Sequence, residues 1–138
     1  LISNSIMKKS SIIIYSIIGF LAYAQYRRKQ NYTYAFYLDR LPKNYNGLSI
    51  PPFGVFIAKS EKDNAVLLAH ELFHWNQFKR EGMMMLPRYI LETMKNGYDK
   101  NAYEVEAFQN EDKYCRLNYT ECVRTGRAKT VYNPNFRK

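Results

Sequence analysis

Residues 70–74 read His-Glu-Leu-Phe-His and lie inside a segment that we predict to be helical. On a helix, His70 and His74 project from one face, so both imidazoles can reach a single Zn²⁺. Glu71 lies beside them, where it can take a proton from a metal-bound water. The chain has two His in all, and both fall within this motif. We therefore favour an HExxH metal centre over two histidines satisfied in an ordinary core.

Short segments on either side of the motif predict strands and further helices. The apolar, partly β-branched run 53–58 is typical of a strand, and another short strand is expected near 34–38. Ser60 is expected to cap the motif helix, and Gly82 to end it. A second helix is predicted over about 86–95.

A third helix is predicted to begin after Asn101, a good N-cap, and to run through Leu117. These elements predict an α+β, mostly helical fold, with the metal-binding domain over residues 53–125. Residues 30–52 are polar and rich in Tyr and contain Pro42, Gly47, Pro51 and Pro52, which is typical of a linker or irregular structure. A basic tail is expected over 126–138.

The third helix offers several carboxylates as a third metal ligand. A catalytic zinc usually takes three protein ligands, and since no third His exists the remaining one is a carboxylate or, less favoured, a Cys. Glu106 falls on a coherent solvent face, whereas Glu104 shares the opposite face with Ala107 and Phe108. A ligand must point inward, so Glu104 is our choice. Glu111 lies two turns further along that face and is a candidate for a supporting or competing carboxylate.

Residues 10–26 contain no charged side chain and predict a membrane-associated helix. Basic residues flank them, at 8–9 and 27–29, and as a helix the run would reach about 25 Å, at the short end for a bilayer span. We expect residues 1–29 to form a retained single-pass anchor, on a side that the weak charge bias leaves open. A cleaved signal peptide, with Ala22-Tyr23-Ala24 as its cleavage pattern, and a buried core helix are the alternatives.

The formal charge of +9 suits an anionic cell wall or lipid surface as partner. The basic residues are scattered, and neither an RNA-recognition signature nor zinc-finger spacing is present, so no specific nucleic-acid partner is expected. Cys115 and Cys122 would lie about 10 Å apart on one straight helix, too far to bridge. A disulfide would need a chain break near 118–120, and the sequence leaves both states open.

With these residues placed, the chain resembles the small gluzincin-like metallopeptidases of bacteria and phages. The resemblance rests on His-Glu-Leu-Phe-His-Trp-Asn-Gln at 70–77 and on Glu-Val-Glu-Ala at 104–107, and it covers 53 to about 115. It implies a minimal zincin-like domain in which His70, His74 and Glu104 hold zinc and Glu71 is the general base. It also implies that strand 53–58 borders the cleft and could pair with an extended peptide.

One residue departs from the pattern of related families, which often place Asp or Asn four residues after the ligand Glu. Phe108 stands there, so support for a motif His must come from elsewhere. Tyr98 and Tyr103 lie close in sequence to the third ligand and are candidates for stabilising the transition-state oxyanion.

Two functions from different classes follow. The first is a membrane-anchored, zinc-dependent peptidase acting on a protein, peptide or peptidoglycan cross-link. The second is a catalytically silent zinc-binding component of a membrane, an envelope or a membrane-containing virion. Glu71 favours the first, because a zinc site that serves structure alone does not need it.

Overall fold

The computed structural model describes residues 2–30, 32–117 and 130–131, with side chains over 3–30 and 32–110. Short 3₁₀ turns at 42–44, 59–61, 82–84 and 98–100 join several of the regular elements. In chain order the elements are α1 (Ile2–Lys29), β1 (Tyr32–Thr33), β2 (Ala35–Leu38), β3 (Gly47–Ile50), β4 (Gly54–Ala58), α2 (Ala65–Glu81), α3 (Met85–Asn96), α4 (Ala102–Leu117) and β5 (Thr130–Val131).

A three-stranded sheet of order β2-β4-β3 forms one layer, with β2 parallel and β3 antiparallel to β4. The mostly helical α+β class is therefore confirmed, as are the strands expected near 34–38 and over 53–58. Within 30–52, where linker or irregular structure was expected apart from the strand near 34–38, residues 47–50 form the further strand β3. Of the expected basic tail, the described part is β5, which pairs with β1.

The helix boundaries follow local capping chemistry. Asn64 caps α2 with its side-chain oxygen, which accepts from the Leu67 amide, so the expectation of Ser60 at this position is wrong. Ser60 lies instead in a 3₁₀ turn. Gly82, at φ +72°, ends α2 as predicted, because a positive φ there suits glycine. Asn101 precedes α4 and accepts from the Tyr103 amide, as its predicted capping role requires.

The motif helix α2 packs against both the sheet and α4. Every residue from Leu68 to Phe78 is buried, so this helix has no solvent face over three turns. A helix covered all round belongs to the core rather than to the surface of a domain. The motif side chains are consequently held in the interior, whether they are apolar or ionisable.

The C-terminal end of α1 is built into the domain. Ala24 and Arg27 are buried, and Arg28 donates from Nε to the Lys79 carbonyl at 2.8 Å and from Nη2 to the Arg80 carbonyl at 2.9 Å. These carbonyls belong to the last turn of α2, where a cation is favoured by the helix dipole. The earlier part of α1 is exposed, and among the described residues it is the helix long and apolar enough to cross a membrane.

We expect Arg28→Ala to lower the free energy of unfolding by about 1–2 kcal/mol, because two carbonyls lose a charged donor and the α2 dipole loses a cation. Thermal and denaturant unfolding in detergent micelles would measure the loss. Lys29→Ala is the matched control, since Lys29 is exposed and adjacent. Equal effects of the two substitutions would contradict a capping role for Arg28.

Candidate metal centre

His70 and His74 from α2 meet Glu104 from α4 in the interior. All three side chains are buried, with 3–5% of each residue exposed. His70 Nε2 lies 3.0 Å from Glu104 Oε2, and His74 Nε2 lies 3.3 Å from Glu104 Oε1. The nearest donor atoms of the three residues all lie within 4.8 Å of one another. One carboxylate thus faces both motif histidines.

This arrangement suits a metal ion in both chemistry and spacing. Bonds of 2.0–2.2 Å to a tetrahedral ion would place neighbouring ligand atoms roughly 3.3–3.5 Å apart. The two distances from the Glu104 carboxylate, 3.0 and 3.3 Å, are close to that spacing. Two imidazole nitrogens and one carboxylate form a donor set that leaves a fourth position open. The group formed by His70, His74 and Glu104 can therefore bind a metal ion.

Gln77 fixes which nitrogen of His74 carries the proton. Its Nε2 donates to the Tyr103 carbonyl and to Glu106 Oε2, both at 2.9 Å, so its amide oxygen faces His74 Nδ1 at 2.8 Å. Because an amide oxygen only accepts, Nδ1 must carry hydrogen. Arg80 supports the arrangement with two hydrogen bonds to the Glu106 carboxylate, at 2.7 and 2.9 Å.

The fixed tautomer has a consequence for Nε2 of His74. In the neutral ring this nitrogen is an acceptor, yet it faces a carboxylate oxygen, which also only accepts. A cation is needed between them, either a proton that makes the ring imidazolium or a metal ion. Burial lowers the pKa of His74, but the hydrogen bond to Glu104 and the charge of Glu71 raise it more, so the net shift is upward. A bound metal would displace this proton.

Glu104 is held as a carboxylate despite its position in the interior. Burial raises its pKa, but hydrogen bonds with His70 and His74 outweigh burial and hold the pKa well below its usual range. The Tyr89 hydroxyl donates a further hydrogen bond to Glu104 Oε1. A buried anion with three partners is ready to bind a cation without prior deprotonation.

Glu71 lies beside the histidines, where it is 6% exposed. Burial raises the pKa of Glu71 to about 7, although His74 and His70 act in the opposite direction. Its carboxylate passes close to β3: a Cβ added to Gly47 would lie 2.8 Å from Glu71 Oε1 and 3.0 Å from its Cγ. The absence of a side chain at position 47 therefore makes the space that Glu71 occupies.

A cleft of about 420 Å³ opens over the site, between β3 and α3. Glu71, His74 and Glu104 line it together with Tyr45, Gly47, Ser49, Pro51, Met85, Tyr89 and Tyr98. Ionisable groups of the candidate metal centre thus face a space large enough for a ligand.

The strand beside the cleft is β3 rather than the one expected from the sequence. The segment 53–58 forms β4, which pairs with β2 on one side and β3 on the other, so it has no free edge for a peptide. The Asn46 carbonyl accepts from the Ala58 amide, so by the two-residue period of an antiparallel ladder Leu48 and Ile50 also bond to β4. The backbone groups of Gly47 and Ser49 therefore point to the free edge.

The two tyrosines singled out from sequence lie in different places. Tyr98 lines the cleft with Glu71, and burial followed by the Glu104 carboxylate raises its pKa. The Tyr103 hydroxyl instead donates to Glu81 Oε1 at 3.2 Å. The prediction that Tyr103 stabilises the oxyanion is therefore wrong. Tyr89, which was not singled out from sequence, lines the cleft with Tyr98, and burial and Glu104 raise its pKa in the same way. Both cleft phenols therefore stay protonated at neutral pH.

The remaining predicted residues have varied outcomes. Glu106 is half-buried and bonds to Gln77 and Arg80, so its assignment to a solvent face is wrong, although it is not one of the three donors. Phe108 packs its ring 4.5 Å from that of His70, where it shields one face of the imidazole. The side chain of Glu111 and the pair Cys115 and Cys122 lie outside the described side chains.

Three residues at the site were missed by sequence reasoning. Gln77 stands three residues after His74, and that helical spacing is a signal that could have identified it as a partner. Tyr89 and Gly47 carry no such signal, because each reaches the site from another element. No family model matches the chain, and neither the curated proteins nor the solved structures contain a match.

We expect Gln77→Ala to weaken metal binding by about 10–100-fold, because His74 loses the partner that orients its ring and fixes its tautomer. Competition with a chromophoric chelator would measure the dissociation constant. Gln109→Ala on the exposed side of α4 is the control of the same residue type. An unchanged affinity in Gln77→Ala would contradict this role.

The metal-free protein should lose stability as pH rises through the range set by Glu71. In the folded protein the pKa of Glu71 is about 7, above the ordinary 4.5. Between these pH values the folded state binds more protons than the unfolded state, so the free energy of unfolding falls as the pH rises. We expect Glu71→Gln to remove this loss, on the order of 3 kcal/mol at most by pH 8. Unfolding with chelator present at both ends of the range would measure it.

The exposed carboxylate Asp63 supplies the comparison for this measurement, as Asp63→Asn. A difference between wild type and Glu71→Gln that stays constant with pH would show that Glu71 is not held against ionisation.

Proposed function

We propose that the chain is a membrane-anchored, zinc-dependent hydrolase of peptide bonds with the zincin-like arrangement of the gluzincin class. The observation that carries the proposal is the position of Glu71. Its carboxylate lies in the cleft beside His70, His74 and Glu104, and Gly47 leaves room for it. A site that served structure alone would have no use for a fourth ionisable group in an open cleft.

Zinc is the ion that we propose for this site. Two imidazoles and one carboxylate match the three protein ligands of many catalytic zinc sites. The same donor set with open positions also suits non-haem iron, so the choice of zinc rests on the HExxH spacing, which places Glu71 beside the two histidines. When bound, zinc supplies the Lewis acidity that brings the pKa of water towards neutrality and polarises a carbonyl.

Glu71 is the general base and then the general acid. Its carboxylate takes a proton from the attacking water and delivers that proton to the nitrogen of the leaving amine, so the protein regains its starting state. The neighbouring histidines are held as ligands, His74 by Gln77, so neither is needed for proton transfer. This division of roles follows from burial and hydrogen bonding around each group.

The two phenols of the cleft are suited to stabilise the charge that develops on the carbonyl oxygen. Both phenols interact with Glu104, and Tyr98 is the better candidate for the oxyanion because it is the more exposed of the two. Tyr98 is 49% exposed and lines the same cleft as Glu71 and Gly47. A neutral hydroxyl there costs little in the ground state and gains strength as negative charge forms.

An extended peptide can pair with the free edge of β3. The backbone groups of Gly47 and Ser49 point to that edge, and Gly47 also lies against Glu71. Main-chain pairing at β3 would hold the scissile bond over the metal centre with little dependence on side chains. Peptides, proteins and peptidoglycan cross-links can each present such a chain.

The anchor is α1, whose apolar run 10–26 lies between basic residues at 8–9 and 27–29. Aromatic and basic residues at its C-terminal end suit a membrane interface. A catalytically silent structural component remains the second function, and the following measurement separates it from a hydrolase.

We expect the purified protein to bind about one zinc per chain, because the described residues form one set of three ligands. Glu71→Gln should keep the zinc and lose at least about 100-fold in peptide hydrolysis, since it removes the base but not a ligand. Metal analysis and a fluorogenic peptide pool would measure both on one preparation. His74→Ala is the variant expected to lose zinc.

Bound zinc with equal activity in wild type and Glu71→Gln would favour the silent structural component. No zinc in the wild type would overturn the metalloprotein assignment itself.

A further inference from the structure

The turn at residues 51–54, which joins β3 to β4, packs against the candidate membrane helix. Phe53 at its tip lies 6.2 Å, between ring centroids, from both Phe20 and Tyr23 of α1. Phe20 and Tyr23 belong to the uncharged run 10–26. Phe53 is nevertheless 47% exposed, so an apolar ring beside the candidate span faces outward.

Arg27 fixes this turn at a defined height along α1. Its side chain is buried, its Nε donates to the Pro52 carbonyl at 3.4 Å, and its guanidinium lies 4.6 Å from the ring centre of Tyr34. Arg28 holds the same end of α1 to the last turn of α2. The turn therefore packs directly on the C-terminal part of α1.

The helix geometry places Phe53 below the basic cluster. From Arg27 to Tyr23 the axial distance is about 6 Å, and from Arg27 to Phe20 it is about 10 Å. A headgroup layer is roughly 5–7 Å thick on each side of the hydrocarbon. If the C-terminal end of α1 lies at the level of the headgroups, the ring of Phe53 lies at the outer edge of the hydrocarbon, where apolar side chains such as Phe are buried in interfacial segments.

The same turn leads directly into the cleft. Pro51 lines the cleft, and Ile50 before it is 37% exposed at the end of β3. Pairing along the free edge of β3 would therefore bring one end of a bound chain to the 51–54 turn. The cleft and the candidate membrane contact are two residues apart in sequence, at Pro51 and Phe53.

We propose that the 51–54 turn inserts into the interfacial layer of the bilayer, so that the cleft opens at the membrane surface and takes polypeptide segments held there. The lipid contact rests on the placement of α1 as a membrane span. The substrate class rests in addition on the proposed peptidase function. The chemistry that recognises the membrane is apolar insertion by Phe53, continuous with the apolar surface of α1.

Insertion of the turn can be tested by depth-dependent fluorescence quenching. Phe53→Trp and Leu38→Trp would each be placed in vesicles of phosphatidylcholine and phosphatidylglycerol carrying a doxyl label near the top of the acyl chain. Leu38 is the matched control, because it is 42% exposed but lies at the opposite end of the sheet, paired with Ala58. The wild type, whose single tryptophan is the buried Trp75, supplies the background.

We expect the labelled lipid to quench the tryptophan of Phe53→Trp and to leave that of Leu38→Trp close to its emission without label. Equal quenching of the two variants would overturn the lipid contact. If the tryptophan at position 53 is instead shielded in step with protein concentration and not with labelled lipid, the turn contacts another copy of the chain. That result would also overturn the lipid contact.

The substrate class can be tested with one peptide pool in two forms, free and carrying a palmitoyl chain on a short linker. In zinc-loaded proteoliposomes we expect the lipidated pool to be cleaved at least about tenfold faster, because membrane attachment raises its concentration at the cleft. Phe53→Asp should reduce this ratio, and Leu38→Asp should not. The ratio cancels any loss common to both pools.

The outcomes separate this inference from the proposed function. Equal cleavage of the two pools by the wild type would leave the peptidase in place and overturn the membrane-held substrate. Cleavage of neither pool would overturn the peptidase and its substrate class together, while the quenching measurement would still decide the lipid contact. A ratio that survives Phe53→Asp would overturn the part assigned to the turn.

Discussion

The carboxylate of Glu104 between His70 and His74 is the interaction on which the rest of the domain depends. Ionisable groups in the interior are costly unless each has a partner, so their partners must be held in place. Glu104 requires α4 to cross α2 at the motif, and Tyr89 requires α3 to lie over the same point. The arrangement of the three helices is therefore coupled to the charges of Glu104 and the two histidines. A bound cation would take the place of the proton that must otherwise lie between His74 and Glu104.

A second constraint comes from the sheet. Glu71 is held beside the histidines because β3 passes close to it without a side chain at Gly47. The close approach also places the free edge of β3 beside the cleft that Glu71 and His74 line. Gly47 thus links the position of the proposed base to that of the strand that could receive a peptide, and a larger residue there would disturb both.

How far the sequence predicts this structure depends on whether a feature is local. The end of α2 at Gly82 and the start of α4 after Asn101 follow from capping, and the inward direction of Glu104 follows from helical period. The edge position of β3 and the approach of Tyr89 depend on how distant segments pack, so no short spacing reveals them. The start of α2 was predicted four residues too early, because Asn64 caps the helix and not Ser60.

The basic residues after the apolar run are a second case in which packing between distant segments gives residues a role that the sequence does not reveal. In sequence, residues 27–29 are typical of a membrane boundary, and their charges would be counted towards orientation. In the structure Arg27 lies under aromatic rings and Arg28 caps α2, while Lys29 is exposed. Two of the three charges therefore serve to join the helix to the domain. These contacts set the height and tilt of the cleft relative to α1, whereas a flexible linker would allow both to vary.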